Sequence, residues 1–133
     1  RRSSDLNHII GGSDDRMRYD SVPAVVYMHP EIAGVGATEE KLRAEGRYYR
    51  VLKLPMAYAG RYVVENEQAP GLCKVLVDEN DTILGCHILG NPASELILLA
   101  GIAVTDRSSI EDFRRHIFPH PTAGEILHEV LFS

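Results

Sequence analysis

The strongest constraint on the fold lies in the second half of the chain, where two β-type runs are followed by helices alone. Leu72 to Val77 and Thr82 to Leu89 are apolar and rich in β-branched residues, and Asp78-Glu79-Asn80-Asp81 joins them as a polar hairpin loop. Three helical runs come next. The first starts at Asn91 or Ser94 and reaches about Val104; Ser109 caps the second, Ile110 to about Ile117; Thr122 caps the third, Glu125 to Phe132. Strands in one run and helices in another predict an α+β domain of two layers.

The first half adds shorter elements. Val22 to Tyr27 is a β-type run that breaks at His29-Pro30, and Ile32 to Val35 follows. Thr38 is a good N-cap, Glu39 and Glu40 suit a helix N-terminus and Gly46 its far end, which predicts a helix from Glu39 to Glu45. Tyr48 to Leu54 reads as a strand ended by Pro55, and Arg61 to Glu65 as a further strand. The expected architecture is an antiparallel sheet of three to five strands, with a short helix before it and three helices after it. Gly34-Val35-Gly36 lacks the third glycine and the strand–turn–helix setting of a dinucleotide fingerprint, and reads as a tight turn. The chain has 133 residues, 44% of them apolar, enough for a single core. Residues 1–20 read as the tail of a preceding segment and 21–133 as the domain proper.

Charge and composition remove several functions. The net charge is −5 and the basic residues are scattered, which argues against a nucleic-acid partner. The longest apolar run, Leu96 to Val104, falls far short of the roughly 20 residues of a membrane span. No secretion signal opens the chain, and without an initiator Met it reads as a piece of a longer product. Cys73 and Cys86 are too few for a disulfide scaffold and are not in C-x-x-C spacing, so a reduced, cytoplasmic protein is expected. If Val77 faces Thr82 across the hairpin, the same register sets Cys73 opposite Cys86.

The chemistry-bearing stretch is Pro119-His120-Pro121-Thr122-Ala123-Gly124-Glu125. Prolines on both sides hold His120 on a stiff, non-helical corner. Imidazole titrates near neutrality, and a carboxylate that orients it completes the minimum for proton transfer. Glu125 is close enough to do so, yet Thr122-x-x-Glu125 is also a capping box, which sends the same carboxylate to the Thr122 amide. The two roles compete on sequence grounds. His116 and His120 have the i, i+4 spacing of a zinc pair, but the prolines break the helix that pairing needs, so no metal site is expected. His8 and His87 read as surface or packing histidines.

Three motifs in order carry a family resemblance. Val22-Pro23-Ala24-Val25-Val26-Tyr27-Met28-His29-Pro30-Glu31-Ile32-Ala33-Gly34-Val35-Gly36, with Thr38-Glu39-Glu40, resembles the entry to the C-terminal domain of pyridine-nucleotide disulfide oxidoreductases. Ile83-Leu84-Gly85-Cys86-His87-Ile88-Leu89-Gly90 with Ser94-Glu95-Leu96-Ile97 resembles that family's hairpin and first long helix, and His120-Pro121-Thr122-x-x-Glu125 its terminal motif. Pro30-Glu31-Ile32-Ala33 is most similar to the dihydrolipoamide dehydrogenase branch; Phe118 departs from it, since a second histidine is common there.

The resemblance implies a dimerisation domain within a homodimer, in an enzyme that uses FAD and NAD and docks on the acyltransferase core of a 2-oxo acid dehydrogenase complex. It implies that His120 is the base, that Glu125 orients it, and that His120 and Pro121 meet the flavin of the partner subunit. Cis bonds at His29–Pro30 and His120–Pro121 are implied too. The redox disulfide and both nucleotide fingerprints are absent from these 133 residues, so the chain alone is expected to bind neither cofactor and to be inactive. A glutathione-reductase-like or other disulfide reductase of the family, or a stand-alone dimerisation or docking module, are the alternatives.

Overall fold

The computed structural model describes residues 9–11, 18–67 and 69–133. Most of the expected tail, His8 included, lies outside them; at its end Tyr19–Ser21 forms a 3-10 turn. Five strands form one antiparallel sheet in the order β1-β2-β5-β4-β3: β1 Ala24–Val26, β2 Ile32–Gly36, β3 Arg50–Pro55, β4 Leu72–Val77 and β5 Ile83–Leu89. The helices are α1 Glu39–Ala44, α2 Gly60–Glu65, α3 Ala93–Asp106, α4 Ile110–Arg114 and α5 Ile126–Glu129, the last flanked by 3-10 turns Ala123–Glu125 and Val130–Phe132. The architecture is α+β, as the order of runs predicts.

One face of the sheet carries the core. Ala33 and Val35 of β2, Cys86 and Ile88 of β5, Cys73, Val75 and Val77 of β4 and Leu52 of β3 alternate inward along their strands. Over β2 and β5 lies α3, which buries Leu96, Ile97, Ala100, Ala103 and Val104. Over β3 and β4 lies the C-terminal turn Val130–Phe132. On the opposite face α1 buries Leu42, and Leu76 of β4 is also fully buried there, outside the main cluster. Glu39 of α1 accepts from Lys74 Nζ at 2.8 Å, which ties this helix to β4.

Several local readings give way to tertiary forces. The segment Arg61–Glu65 is helical rather than a strand. Its β-type residues are overridden because a helical turn puts Tyr62 into the core while Val64 stays exposed. The Arg61–Glu65 ion pair at helical spacing was the sequence signal for it. Gly34-Val35-Gly36 is extended strand, not a tight turn. The glycines permit close approach: Gly34 lies beside the His87 ring, and Gly36 faces Gly85 with φ +79°. The short helix sits between β2 and β3 rather than ahead of the sheet. α4 ends at Arg114, three residues earlier than expected. Neither Asn91 nor Ser94 caps α3. Its first turn receives the Glu31 carboxylate, which accepts from the Ser94 amide at 2.8 Å across 63 residues of chain.

The hairpin register also differs. At the turn Val77 faces Ile83 rather than Thr82, and a bulge at Leu76/Val77 adds a further one-residue shift, so that Cys73 lies opposite Ile88 and Cys86 opposite Val75. Cys73 and Cys86 are therefore diagonal neighbours on the core face, not directly opposed. Both are free and fully buried, and the Cys73 thiol beside it, together with burial, pushes the Cys86 thiol well up. The His29–Pro30 and His120–Pro121 bonds are cis, as is Asn91–Pro92.

Gly36 combines a left-handed backbone with a crowded site, since an added Cβ would overlap the Leu84 carbonyl oxygen and the Gly85 backbone. Gly36→Ala is expected to destabilise the chain by about 1–3 kcal/mol or more, read as a lowered midpoint in urea denaturation.

Candidate functional site

The corner between α4 and the C-terminal turns is held with few backbone bonds. Among the described residues, no amide from Ile117 to Pro121 donates to a backbone carbonyl. The Thr122 hydroxyl closes the corner by donating to the Pro119 carbonyl at 2.8 Å. Downstream, Ala123, Ile126 and Leu127 are buried and anchor the following turns in the core. The corner is a rim structure with a fixed root.

Glu125 serves both sequence-expected roles at once. Its Oε1 lies 2.8 Å from His120 Nδ1, and its Oε2 accepts from the Thr122 amide at 2.8 Å. A carboxylate has acceptor sites on each oxygen, so the expected competition does not arise. The Thr122 amide and then the His120 ring hold the Glu125 carboxyl below the usual carboxylate range. Glu125 is largely sheltered, with a side chain 22% exposed, whereas that of His120 is 80% exposed.

This geometry assigns the tautomer. A carboxylate only accepts, so His120 Nδ1 carries the proton and the neutral ring keeps its lone pair on Nε2. No described residue bonds Nε2. The arrangement can take a proton at Nε2 and stabilise the resulting imidazolium through Glu125. Pro121 is exposed beside it.

The remaining histidines do other work. His116 Nδ1 donates to the Phe113 carbonyl at 3.2 Å. His128 Nε2 donates to the Arg114 carbonyl at 3.2 Å and its ring packs on Phe118. His87 sits between Gly34 and Lys74 on the sheet; burial, and then the Lys74 charge, lower its pKa. His29 is exposed in the β1–β2 turn. The prolines keep His116 and His120 off a common helix.

Two cavities are of note. One of about 440 Å³ is lined by Arg18, Lys41, Arg47 and Arg107 with Asp20 and Asp78, far along the chain from the corner. Lys41 is in the last turn of α1 and Arg107 caps α3, so cations there meet the negative ends of two helices. The other, about 380 Å³, is an apolar groove between Leu99 and Ile102 of α3 and Phe113, Ile117 and Phe118, and it ends at Pro119 beside the corner. Leu98, Leu99, Ile102 and Ile117 form an exposed apolar strip along it.

The family model "Pyridine nucleotide-disulphide oxidoreductase, dimerisation domain" matches residues 22–131. The chain belongs to this family. Among similar proteins, dihydrolipoyl dehydrogenase 1, mitochondrial, of Arabidopsis thaliana is 48% identical over 126 residues, covering 93% of this chain and 24% of that protein. Dihydrolipoyl dehydrogenase 3 of Pseudomonas putida is 40% identical over 125 residues, covering 93% and 27%. The solved structure of LpdA from Mycobacterium tuberculosis has the same fold, with a TM-score of 0.87 over 96% of this chain and 28% of that one at 24% identity. The chain thus spans about a quarter of the length of the relatives it matches. It is part of an oxidoreductase family whose domain is defined by dimerisation. Among the described residues no helix is long and apolar enough to cross a membrane.

The depressed Glu125 carboxyl has a consequence for stability. A carboxyl whose folded pKa lies below its ordinary value of 4.5 adds stability above that value, and the contribution disappears as pH falls through the folded pKa. The stability difference between the wild-type chain and Glu125→Gln should therefore be largest above about pH 5 and shrink on acidification, as measured by urea denaturation across pH.

Proposed function

We propose that this chain is the dimerisation domain of a dihydrolipoamide dehydrogenase, residues 21–133 forming the domain and 1–20 the end of a preceding segment, and that it supplies the acid–base pair of the active site. The observation that carries the reading is His120 with Nδ1 tied to Glu125 and Nε2 uncommitted at the surface. An oriented base this exposed needs a second surface to complete a site around it. The homodimeric partner provides that surface, and the relatives' names supply the substrate class.

A dihydrolipoamide thiol passes its proton to His120 Nε2. The thiolate formed attacks one sulfur of the partner's redox disulfide, a sulfur–sulfur bond forms, and the other sulfur leaves as a thiolate beside the imidazolium. The proton then passes from Nε2 to that leaving sulfur or to solvent. The freed base takes the proton of the second substrate thiol, and this thiolate attacks the substrate sulfur of the mixed disulfide, closing the lipoamide ring and releasing the remaining sulfur of the partner as a thiolate. Glu125 holds the tautomer before the transfer and balances the imidazolium charge after it. FAD, when bound, would carry the electron pair from the reduced disulfide to NAD⁺.

The exposed imidazole edge and proline ring at His120-Pro121 suit contact with a flavin in the partner subunit. Docking on the acyltransferase core of a 2-oxo acid dehydrogenase complex belongs to the same reading. So does a reducing, cytoplasmic compartment, which the two free thiols support.

In the complete subunit, His120→Gln should lower turnover with dihydrolipoamide by about 10²–10⁴-fold. Glu125→Gln should cost less, about tenfold or more, because the base remains but its orientation and charge balance are lost. If Glu125→Gln loses stability at full turnover, the carboxylate is a cap alone; if His120→Gln keeps turnover, the chain is a dimerisation module whose corner serves only shape.

The homodimer should use the apolar strip of α3. Leu98 is 61% exposed and Ile102 52%, one helical turn apart, beside Ile117. Sedimentation should show a dimer, and Ile102→Glu should shift it toward monomer.

A further inference from the structure

The His120 corner is also gripped from behind. Phe118, two residues ahead of His120, packs partly buried against the core. Its ring centroid is 5.8 Å from that of Phe113 and 5.5 Å from that of His128. His128 lies three residues after Glu125, one turn along the same helical segment. Its own ring is fixed. The Arg114 carbonyl can only accept, so His128 Nε2 carries a proton and donates to it at 3.2 Å. Phe132 meets the His128 ring edge-on at 5.1 Å, and the Arg114 guanidinium lies 4.0 Å over Phe132 while donating to the Leu131 carbonyl.

We propose that Phe118 and His128 are positioning residues for the His120–Glu125 pair, closing a ring of contacts that runs from His120 through Pro119 to Phe118, across to His128, and back one helical turn to Glu125. The inference rests on reading that pair as an oriented base. The physical need is clear from the backbone. Pro119 and Pro121 remove donors, and no amide from Ile117 to Pro121 bonds a backbone carbonyl among the described residues. Among the described residues, the Thr122 hydroxyl and the His120–Glu125 bond itself are the hydrogen bonds that bridge the corner. Side-chain packing must then set how far the imidazole stands from the carboxylate. The Phe118–His128 contact fixes the upstream arm of the corner to the helix that carries Glu125, so both partners of the 2.8 Å bond share one rigid base.

The charged groups around His128 do not account for this by themselves. Glu129 Oε1 is 3.6 Å from its Nδ1, and Glu125 feels its charge among the weaker influences. On its far side Arg114 is occupied by Leu131 and Phe132. His116 lies across Phe113. What His128 offers the corner is a flat, oriented ring against which Phe118 stops.

The test reads the His120 tautomer, which a loss of stability alone would not change in molecules that remain folded. Long-range ¹H–¹⁵N correlation spectra of the chain, at a pH where the ring is neutral, should show His120 Nδ1 as the protonated nitrogen and Nε2 as the lone-pair nitrogen. Glu125→Ala should abolish that preference and leave the mixture of free imidazole. Phe118→Leu and His128→Ala should each shift His120 toward the same mixture, and Phe118→Tyr, which keeps the ring, should retain the wild-type tautomer. If Phe118→Leu and His128→Ala keep the tautomer that Glu125→Ala loses, the positioning role is wrong and the pair stands. If Glu125→Ala keeps it too, the oriented pair itself is wrong and the proposal falls with it. Should Phe118→Leu fail to fold, His128→Ala against Phe118→Tyr decides the matter in the same way.

Discussion

The apolar face of β2, β5, β4 and β3 is buried against two helical bodies, α3 over β2 and β5 and the C-terminal turn over β3 and β4. Everything else follows from the width of that face. Once α3 and the C-terminal segment lie on it, the chain between them must cross at the rim. That crossing consists of α4 and the corner Phe118–Thr122. The corner cannot enter the core, because its proline-broken backbone has no ladder to satisfy it away from water. His120 is therefore presented outward, with its side chain 80% exposed.

Glu125 joins the core to that outward corner. It stands at the start of the anchored C-terminal turns, beside Ala123 and Ile126 in the core, with its carboxylate still reaching the rim. One oxygen satisfies the Thr122 amide and the other takes the imidazole N–H. The cap keeps the carboxylate ionised and still, and a still carboxylate is what an exposed imidazole needs in order to hold one tautomer. Structural and chemical roles here reinforce one another. The same economy holds at Glu31, whose backbone and side chain tie the His29–Pro30 turn to Gly90 and to the first turn of α3.

The hairpin, the three later helices, the Ser109 and Thr38 caps and the His120–Glu125 pairing were all legible in the sequence, because each rests on neighbours within about five residues: turn chemistry, capping oxygens and the fixed φ of proline. The motifs were equally local, which is why the family could be read from them. Arg61–Glu65 was misread because its β-type residues reflect a preference that burying Tyr62 overrides. The Gly34–Gly36 turn was misread because those glycines answer to His87 and Gly85 on the adjacent strand.

By itself, then, the sequence determined the α+β class, the stiff corner and the reach of Glu125 to His120 on it, since local sterics and short-range hydrogen bonds suffice for these. Tertiary structure alone decided the turn register and bulge that together move Cys73 from Cys86 to Ile88, the Glu31 carboxylate at the head of α3, and the tilted contact of Phe118 with His128 behind the corner. Each of these joins residues through packing or charge across distances in the chain that no local pattern encodes. A two-residue change in register, or a side chain reaching over 63 residues, costs nothing recognisable in the local sequence and becomes favourable only when the sheet face is filled.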